Sequence, residues 1–369
     1  MLDVDAVLGD PRVRIVVCCG SGGVGKTTTA AALALRAAEK HGRRTVVLTI
    51  DPARRLAQSL GLTELDNTPR VVDGVDGPGE LHAMMLDMKR TFDEVVLTHT
   101  APERAREIFA NPFYQAMSST FSGTQEYMAM EKLGQLRAGD RWDLIVVDTP
   151  PSRSALDFLD APARLSRFLD GKMLRLLMVP ARAGGKSMFN LVTASFGVFS
   201  KAVQKILGAQ LLTDLSGFVS ALDSTFGGFR ERAEQTYRVL QDPQTAFLVV
   251  AAPEPDAVRE ASYFARRLGA ERMPLVGLVL NRVHRSELPE LSAKQSTEAA
   301  AELAEEHAMT AQALEVHALL MRQVARESTV STDFTDEFPD VPVAHVPAQP
   351  TDVHDLTGLR AVGDALAAS

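Results

Sequence analysis

The feature that most constrains this fold is a glycine-rich segment near the N-terminus, GSGGVGKTT at residues 20–28. It follows an apolar run at 13–19 that predicts a β-strand, and it precedes an alanine-rich run that predicts a helix. Strand, glycine-rich turn and helix form the context of a phosphate-binding loop, hereafter the phosphate loop. Glycines let backbone N–H groups surround phosphate oxygens, and the helix N-terminus adds its dipole. The segment therefore predicts a nucleotide site.

The side chains of the phosphate loop divide into phosphate-binding and metal-binding groups. Lys26 is expected to reach the β and γ phosphates, and the Thr27 hydroxyl to ligate Mg²⁺. The predicted nucleotide-binding residues of this segment are Gly20, Ser21, Gly22, Gly23, Val24, Gly25, Lys26, Thr27 and Thr28.

Composition narrows the class of protein. The 369 residues allow one large α/β domain with an elaboration, or two domains. A net charge of −8 argues against non-specific nucleic-acid binding, which needs a basic face. The two cysteines are adjacent, which excludes a disulfide framework and favours a reducing compartment. With neither a signal-peptide pattern nor a long apolar run, we expect a cytoplasmic protein.

The pattern along the chain predicts an α/β fold of the P-loop NTPase kind, a mostly parallel sheet flanked by helices, with an inserted helical subdomain. Strands are expected at 13–19, 45–50, 141–148, 245–252, 274–281 and 343–346. Helices are expected at 26–41, 256–268, 295–327 and 351–368, with a loop at 64–80 and mainly helical blocks at 81–139 and 156–240. The predicted divisions are an ATPase core at 1–80, 138–155 and 241–369, and helical subdomain blocks at 81–137 and 156–240.

Phenylalanine and methionine are concentrated in the helical blocks. Twelve of the 16 Phe and nine of the 13 Met lie within residues 81–240. Both residue types fill ordinary helical cores, whereas methionine-rich surfaces also adapt to varied hydrophobic clients. The sequence leaves both interpretations open.

Three polar residues follow predicted parallel strands, whose carboxyl ends share the edge that carries the phosphate loop. Asp148 stands where a second acidic residue holds Mg²⁺ directly or through water, and Asp51 would orient or deprotonate the attacking water. Asn281 would read an adenine edge with its amide. The structural alternatives are a strand-end cap for Asp148 and an ordinary Asp-Pro turn for Asp51.

Six segments taken in order resemble those of a known superfamily: the phosphate loop, TIDPA at 49–53, SGTQE at 122–126, DTPPS at 148–152, APEP at 252–255 and HVP at 345–347. The chain resembles the arsenite-pump (ArsA) ATPases, which include the targeting ATPases for tail-anchored membrane proteins. The resemblance implies an Mg-ATP-dependent dimeric ATPase with ATP and Mg²⁺ as cofactors. It places Asp51 and Lys26 among the catalytic residues, Thr27 and Asp148 at Mg²⁺, and Asn281 and Pro347 at the adenine.

One departure from the family concerns its signature lysine, whose position holds Ser21 here. In the family this lysine crosses the dimer interface to the partner's phosphates, and a charge of that kind can contribute about 10³-fold or more to the rate. One explanation is a hetero-dimer in which a paralogue with the signature lysine supplies it. The other is replacement by Arg54 or Arg55 in a homo-dimer. We favour the hetero-dimer.

A second departure concerns metals other than Mg²⁺. Eukaryotic targeting members bridge their dimer through a Cys-x-x-Cys zinc site, and residues 286–296 contain no cysteine. The chain also lacks a group of thiols that could bind arsenite, because its two cysteines are adjacent in a predicted strand and their side chains point to opposite faces. We therefore expect neither zinc nor arsenite to bind.

Three functions remain after this comparison. The first is an ATPase whose helical subdomain handles hydrophobic or membrane-protein clients, and the second is the energy-coupling subunit of an anion or ion efflux system with a membrane partner. The third is a regulatory switch of the ParA or MinD kind. It ranks last, because the C-terminal segment is too acidic for a membrane-binding helix and the net charge disfavours DNA.

Overall fold

The structure is a computed structural model that describes residues 1–51, 55–112, 114–115, 124–150 and 234–369, with the backbone alone at 124–127. The chain forms two compact units. The first comprises Met1–Met85, Leu136–Leu156 and Val239–Ser369, and the second comprises Leu86–Gln135 and Asp157–Arg238. The predicted subdomain blocks, 81–137 and 156–240, stay a prediction, since 151–233 lies outside the described residues.

The first unit is built on an eight-stranded sheet. Its strands are β1 (Ile15–Cys19), β2 (Arg44–Thr49), β3 (Arg70–Val71), β4 (Glu80–Met85), β5 (Leu144–Asp148), β6 (Thr245–Ala251), β7 (Leu275–Val283) and β8 (Val343–Pro347). They are ordered β3-β4-β2-β5-β1-β6-β7-β8, and every neighbouring pair is parallel except β3 with β4. This mostly parallel sheet confirms the predicted fold class.

The described helices flank this sheet or form the second unit. They are α1 (Val4–Gly9), α2 (Lys26–His41), α3 (Arg55–Ser59), α4 (Met88–His99), α5 (Pro102–Ala110), α6 (Thr124–Ala138), α7 (Pro255–Ala270), α8 (Ala293–Leu303), α9 (Ala308–Glu337) and α10 (Leu356–Ala367).

The core of the first unit lies on both faces of the central strands. Every residue of β1, β5 and β6 is buried, which fits their continuous apolar runs and the double covering of parallel sheets. Helix α2 packs against the sheet and against α10. Arg36 of α2 joins these helices by ion pairs with Asp5 of α1 at 2.7 Å and Asp364 of α10 at 2.8 Å.

The described part of the second unit has its own apolar core. Asp87 caps α4 by accepting the N–H of Arg90 at 2.9 Å. Phe92 packs edge-on against Tyr114, whose hydroxyl donates to Asp93 at 2.6 Å. These contacts secure α4 within the unit.

The structure corrects several predicted boundaries. Residues 81–85 form β4 rather than helix, because pairing along β2 outweighs the helix propensity of Leu, Ala and Met. The predicted loop at 64–80 contains β3, and α1 was not predicted. The predicted 295–327 helix is two helices, and α9 continues to Glu337. In its threonine-rich end, the Thr329 and Thr332 hydroxyls donate to carbonyls four residues earlier.

Candidate functional site

The phosphate loop lies between β1 and α2 at the carboxyl edge of the sheet. Gly20 and Gly25 have φ angles of +150° and +94°, a region that side-chain-bearing residues rarely adopt. A Cβ atom at position 20 would lie 2.0 Å from the carbonyl oxygen of Val250, and one at position 25 would lie 2.1 Å from Asn281 Nδ2. These two positions accept glycine alone, so neighbouring elements define the shape of the loop.

Lys26 is the first residue of α2 and lies against the loop backbone. Its Nζ donates to the Ser21 carbonyl oxygen at 2.7 Å. Burial lowers the pKa of this ammonium group, and the nearby Asp148 carboxylate opposes that shift. The Ser21 hydroxyl is buried and makes no hydrogen bond within the part of the chain that the structure describes. The loop thus presents one cation and one unused hydroxyl.

Asp148 ends β5 and is fully buried. Its Oδ2 accepts hydrogen bonds from Thr27 Oγ1 at 2.8 Å and from Thr49 Oγ1 at 2.9 Å. Its Oδ1 is buried without a partner among the described residues. Burial raises the pKa of this carboxyl to about 6, even though the two threonine hydroxyls lower it. The two residues predicted to bind metal are therefore in direct contact.

The residues around Asp148 fit Mg²⁺. A carboxylate oxygen lacking a partner and a threonine hydroxyl are the hard oxygen ligands that this ion prefers. Within the described ranges, no group of three or more His, Cys, Asp and Glu residues is placed to hold a metal. Mg²⁺ commonly keeps water and phosphate oxygens as its remaining ligands, so a site with few protein ligands suits it.

Asp51 lies two residues beyond the end of β2, whose last residue, Thr49, pairs with Asp148. Its backbone N–H donates to Thr49 Oγ1 at 3.2 Å, and the Ile50 N–H donates to the Asp148 carbonyl at 3.0 Å. The structure thus brings the backbone of Asp51 to the phosphate-loop edge. Arg54 lies outside the described residues, and Arg55 begins α3 with an exposed side chain.

Thr49 is the functional candidate that the sequence interpretation missed. Its hydroxyl contacts both the Asp148 carboxylate and the Asp51 backbone. A threonine inside an apolar strand is an ordinary β-former, so no spacing rule distinguishes it. The only available signal was its position at the end of a strand two residues before Asp51.

Asn281 and Pro347 lie on neighbouring strands at the same edge of the sheet. Asn281 pairs with Val346, and Val283 pairs with Pro347. The intervening Arg282 is the extra residue of a β-bulge, with a φ of +65°. Asn281 is buried, and its Nδ2 donates to the Val24 carbonyl oxygen at 2.9 Å. Asn281 therefore contacts the phosphate loop itself, while the adenine contacts of both residues stay predictions.

Comparison with known proteins agrees with this arrangement. The sequence model of the anion-transporting ATPases (ArsA ATPase) matches residues 13–315. ATPase GET3B of Arabidopsis thaliana is 28% identical over 316 residues, covering 76% of this chain and 67% of the relative. The ATPase ASNA1 homolog of Cryptosporidium parvum (strain Iowa II) is 26% identical over 266 residues, covering 72% and 63%.

A bacterial relative matches a shorter segment. Protein Rv2184c of Mycobacterium tuberculosis (strain ATCC 25618 / H37Rv) is 32% identical over 180 residues, covering 43% of this chain and 40% of the relative. The matches to GET3B and the ASNA1 homolog span about two thirds of those relatives' own length. None of the helices that the structure describes is both long enough and apolar enough to cross a membrane.

The family match covers most of the chain and includes the phosphate loop, Asp51, Asp148 and Asn281. This chain belongs to the anion-transporting ATPase family.

Proposed function

We propose that this chain is an Mg-ATP hydrolase that acts as a dimer and couples hydrolysis to a conformational change of its helical subdomain. One observation carries the proposal. A single oxygen of Asp148 accepts hydrogen bonds from Thr27 in the phosphate loop and from Thr49 beside Asp51. Phosphate binding, metal binding and activation of water would therefore occur in one connected site.

Each residue of the site has a distinct task under this proposal. The loop amides and Lys26 would bind the phosphates, and Thr27 with Asp148 would hold Mg²⁺. The ion, when bound, would offset charge on the β- and γ-phosphate oxygens. Asp51 would orient or deprotonate the attacking water, and Asn281 and Pro347 would contact the adenine.

Two substitutions test these tasks separately. Lys26→Ala should abolish Mg-ATP affinity, because it removes the buried cation of the phosphate loop. Asp51→Asn should keep the affinity and stop hydrolysis, because an amide cannot accept the proton of the attacking water. Calorimetric binding and phosphate release measure the two effects. Parental hydrolysis by Asp51→Asn would remove that residue from its assigned role.

Ser21 in place of the signature lysine supports a hetero-dimer with a paralogue that carries the lysine. The relatives are described as ATPases, and such enzymes use a cation to stabilise the transition state. The Ser21 side chain carries no charge, and Arg55 is exposed at the start of α3. A strictly homo-dimeric protein with full activity would contradict this part of the proposal.

The proposed clients are hydrophobic segments or membrane proteins, as the resemblance to the targeting ATPases for tail-anchored membrane proteins implies. The concentration of Phe and Met within residues 81–240 supports an adaptable apolar surface. Binding of a transmembrane peptide that depends on ATP would support this function. Binding that is insensitive to nucleotide would contradict the client role. Co-purification with an integral membrane protein would favour the second candidate, an energy-coupling subunit of an anion efflux system, which the family description supports.

A further inference from the structure

Thr49, the last residue of β2, has a hydroxyl that lies between Asp148 and the backbone of Asp51. Its Oγ1 donates to Asp148 Oδ2 at 2.9 Å and accepts the Asp51 N–H at 3.2 Å. The residue is 1% exposed, so water does not compete for either bond. Thr49 pairs with Asp148 in the β2–β5 register, and the sheet itself therefore maintains their separation.

The same carboxylate oxygen connects Thr49 to the phosphate loop. Asp148 Oδ2 also accepts the Thr27 hydroxyl at 2.8 Å. A continuous series of hydrogen bonds thus runs from the first turn of α2, through the carboxylate and the Thr49 hydroxyl, to the Asp51 backbone. Buried bonds of this kind restrict the relative positions of all the groups that they join.

Another threonine of β2 shows what a merely structural hydroxyl looks like. Thr45 is equally buried, and its hydroxyl donates to the Arg43 carbonyl oxygen at 3.3 Å. It lies at the opposite end of the strand from Asp51. Thr45 and Thr49 are the same residue type, lie on the same strand and are both buried. They differ only in which groups their hydroxyls contact.

We propose that Thr49 is a positioning residue for ATP hydrolysis. Its hydroxyl holds the Asp51 backbone at a fixed distance from the Asp148 carboxylate, so that the water-activating group and the metal-binding group are placed together. The proposal rests on the hydrolase function proposed above and adds a residue that acts through Asp51 and Asp148 rather than on the substrate.

Thr49→Val tests the hydroxyl with little change in shape. Metal-free affinity for a fluorescent ATP analogue depends on the phosphate loop and should stay within about twofold of the parent. The single-turnover hydrolysis rate should fall roughly ten- to a hundredfold, the usual effect of losing a hydrogen bond to a charged group. The Mg²⁺ concentration needed for half-maximal activity should rise.

Two further variants serve as controls. Thr49→Ser restores the hydroxyl and should recover most of the rate, and Thr45→Val makes the same chemical change away from the site and should keep the parental rate. Thermal unfolding checks that each variant folds, and Thr49→Ala replaces Thr49→Val if the latter does not. The strengthening of analogue binding by Mg²⁺ is a second readout that does not depend on turnover, and Thr49→Val should reduce it.

The outcomes separate the two proposals. A parent that does not bind the analogue contradicts the hydrolase function, and the role of Thr49 is lost with it. If the parent binds while Thr49→Val and Thr45→Val behave alike, only the positioning role is overturned. Slow hydrolysis by Thr49→Ser, equal to that of Thr49→Val, would also overturn it, because packing rather than the hydroxyl would then be responsible.

Discussion

At the scale of single residues, Asn281 joins β7 to the phosphate loop. Its amide donates to the Val24 carbonyl at 2.9 Å. Asn281→Ala would leave that carbonyl without its donor, at a cost of about 1–3 kcal/mol. Competition binding should show that the affinities for ATP, GTP and tripolyphosphate all fall, because all three ligands bind the phosphate loop, and that ATP loses most, because the proposal also places Asn281 at the adenine.

The isosteric variant sharpens this test. Asn281→Asp keeps the shape but replaces the N–H donor with a carboxylate, and it should weaken all three ligands at least as strongly. A loss confined to ATP would instead support the adenine-reading role predicted from the sequence.

The sequence predicted which residues lie together in the site better than it predicted the hydrogen bonds between them. Thr27 and Asp148 were expected near each other because parallel strands end at one edge of the sheet. In the structure, Thr27 Oγ1 lies 2.8 Å from Asp148 Oδ2. The Asn281 contact with Val24 and the Thr49 hydroxyl were not predicted. Each depends on strand order and register, which a local sequence pattern does not encode.

At the scale of elements, the junction of β1 and the phosphate loop depends on the absence of a side chain at position 20. The methyl of Gly20→Ala would lie 2.0 Å from the Val250 carbonyl of β6. We expect this variant to unfold at lower denaturant concentration and to lose ATP affinity. Gly269→Ala in α7 meets nothing within 4 Å and should be neutral or stabilising by up to about 1 kcal/mol. Parental ATP affinity in Gly20→Ala would contradict this account.

Asp5 links α1 to α2 and supplies a pH-dependent contribution to stability. The Arg36 guanidinium hydrogen-bonded to it lowers its pKa from 3.8 to about 2. A lowered carboxyl pKa stabilises the fold above pH 3.8, and this stabilisation is lost as the pH falls towards 2.

Asp5→Asn should therefore reduce the free energy of unfolding at pH 7, and its difference from the parent should shrink as the pH falls below 3.8. Denaturant titrations across this range measure the difference, with Asp352→Asn at an exposed position as the control. A difference that stays constant across the range would exclude the ion pair as its cause.

The wrong boundaries have a common physical origin at this scale. Residues 80–85 contain helix-forming Leu, Ala and Met, yet they pair with β2 over six consecutive positions. A local sequence pattern cannot reveal that β2 is the pairing partner, because the two strands are distant in sequence. The predicted end of the helix at 327 failed for a related reason. Phe334 is buried and anchors the threonine-rich final turns of α9.

At the scale of the whole molecule, the phosphate loop and the recurring strands were enough to predict the α/β class. The arrangement of the helical blocks stays a prediction, since residues 151–233 lie outside the described part. The identity of a second subunit cannot be inferred from one chain, because the signature lysine would be supplied by another polypeptide.

Ser21→Lys tests how far the absence of the signature lysine lowers the rate of ATP hydrolysis. If a paralogous subunit normally supplies the lysine to this chain's site, a homo-dimer of the variant would supply the lysine from its own second subunit. Turnover by the isolated protein should then rise by at least about tenfold, since a transition-state cation contributes up to 10³-fold or more. Steady-state phosphate release measures this, with Ser21→Met as a long uncharged control. Equal rates for both variants would favour charge compensation from within, and Arg55 would be mutated next.

The most direct test of the hydrolase itself is single-turnover phosphate release with the protein in excess over ATP. This measurement detects slow chemistry even where a partner is needed for rapid cycling. The account predicts Mg²⁺-dependent release by the parent and no release above background by Asp51→Asn, although both bind ATP. Release by Asp51→Asn at the parental rate, or ATP binding by the parent without any release, would contradict it.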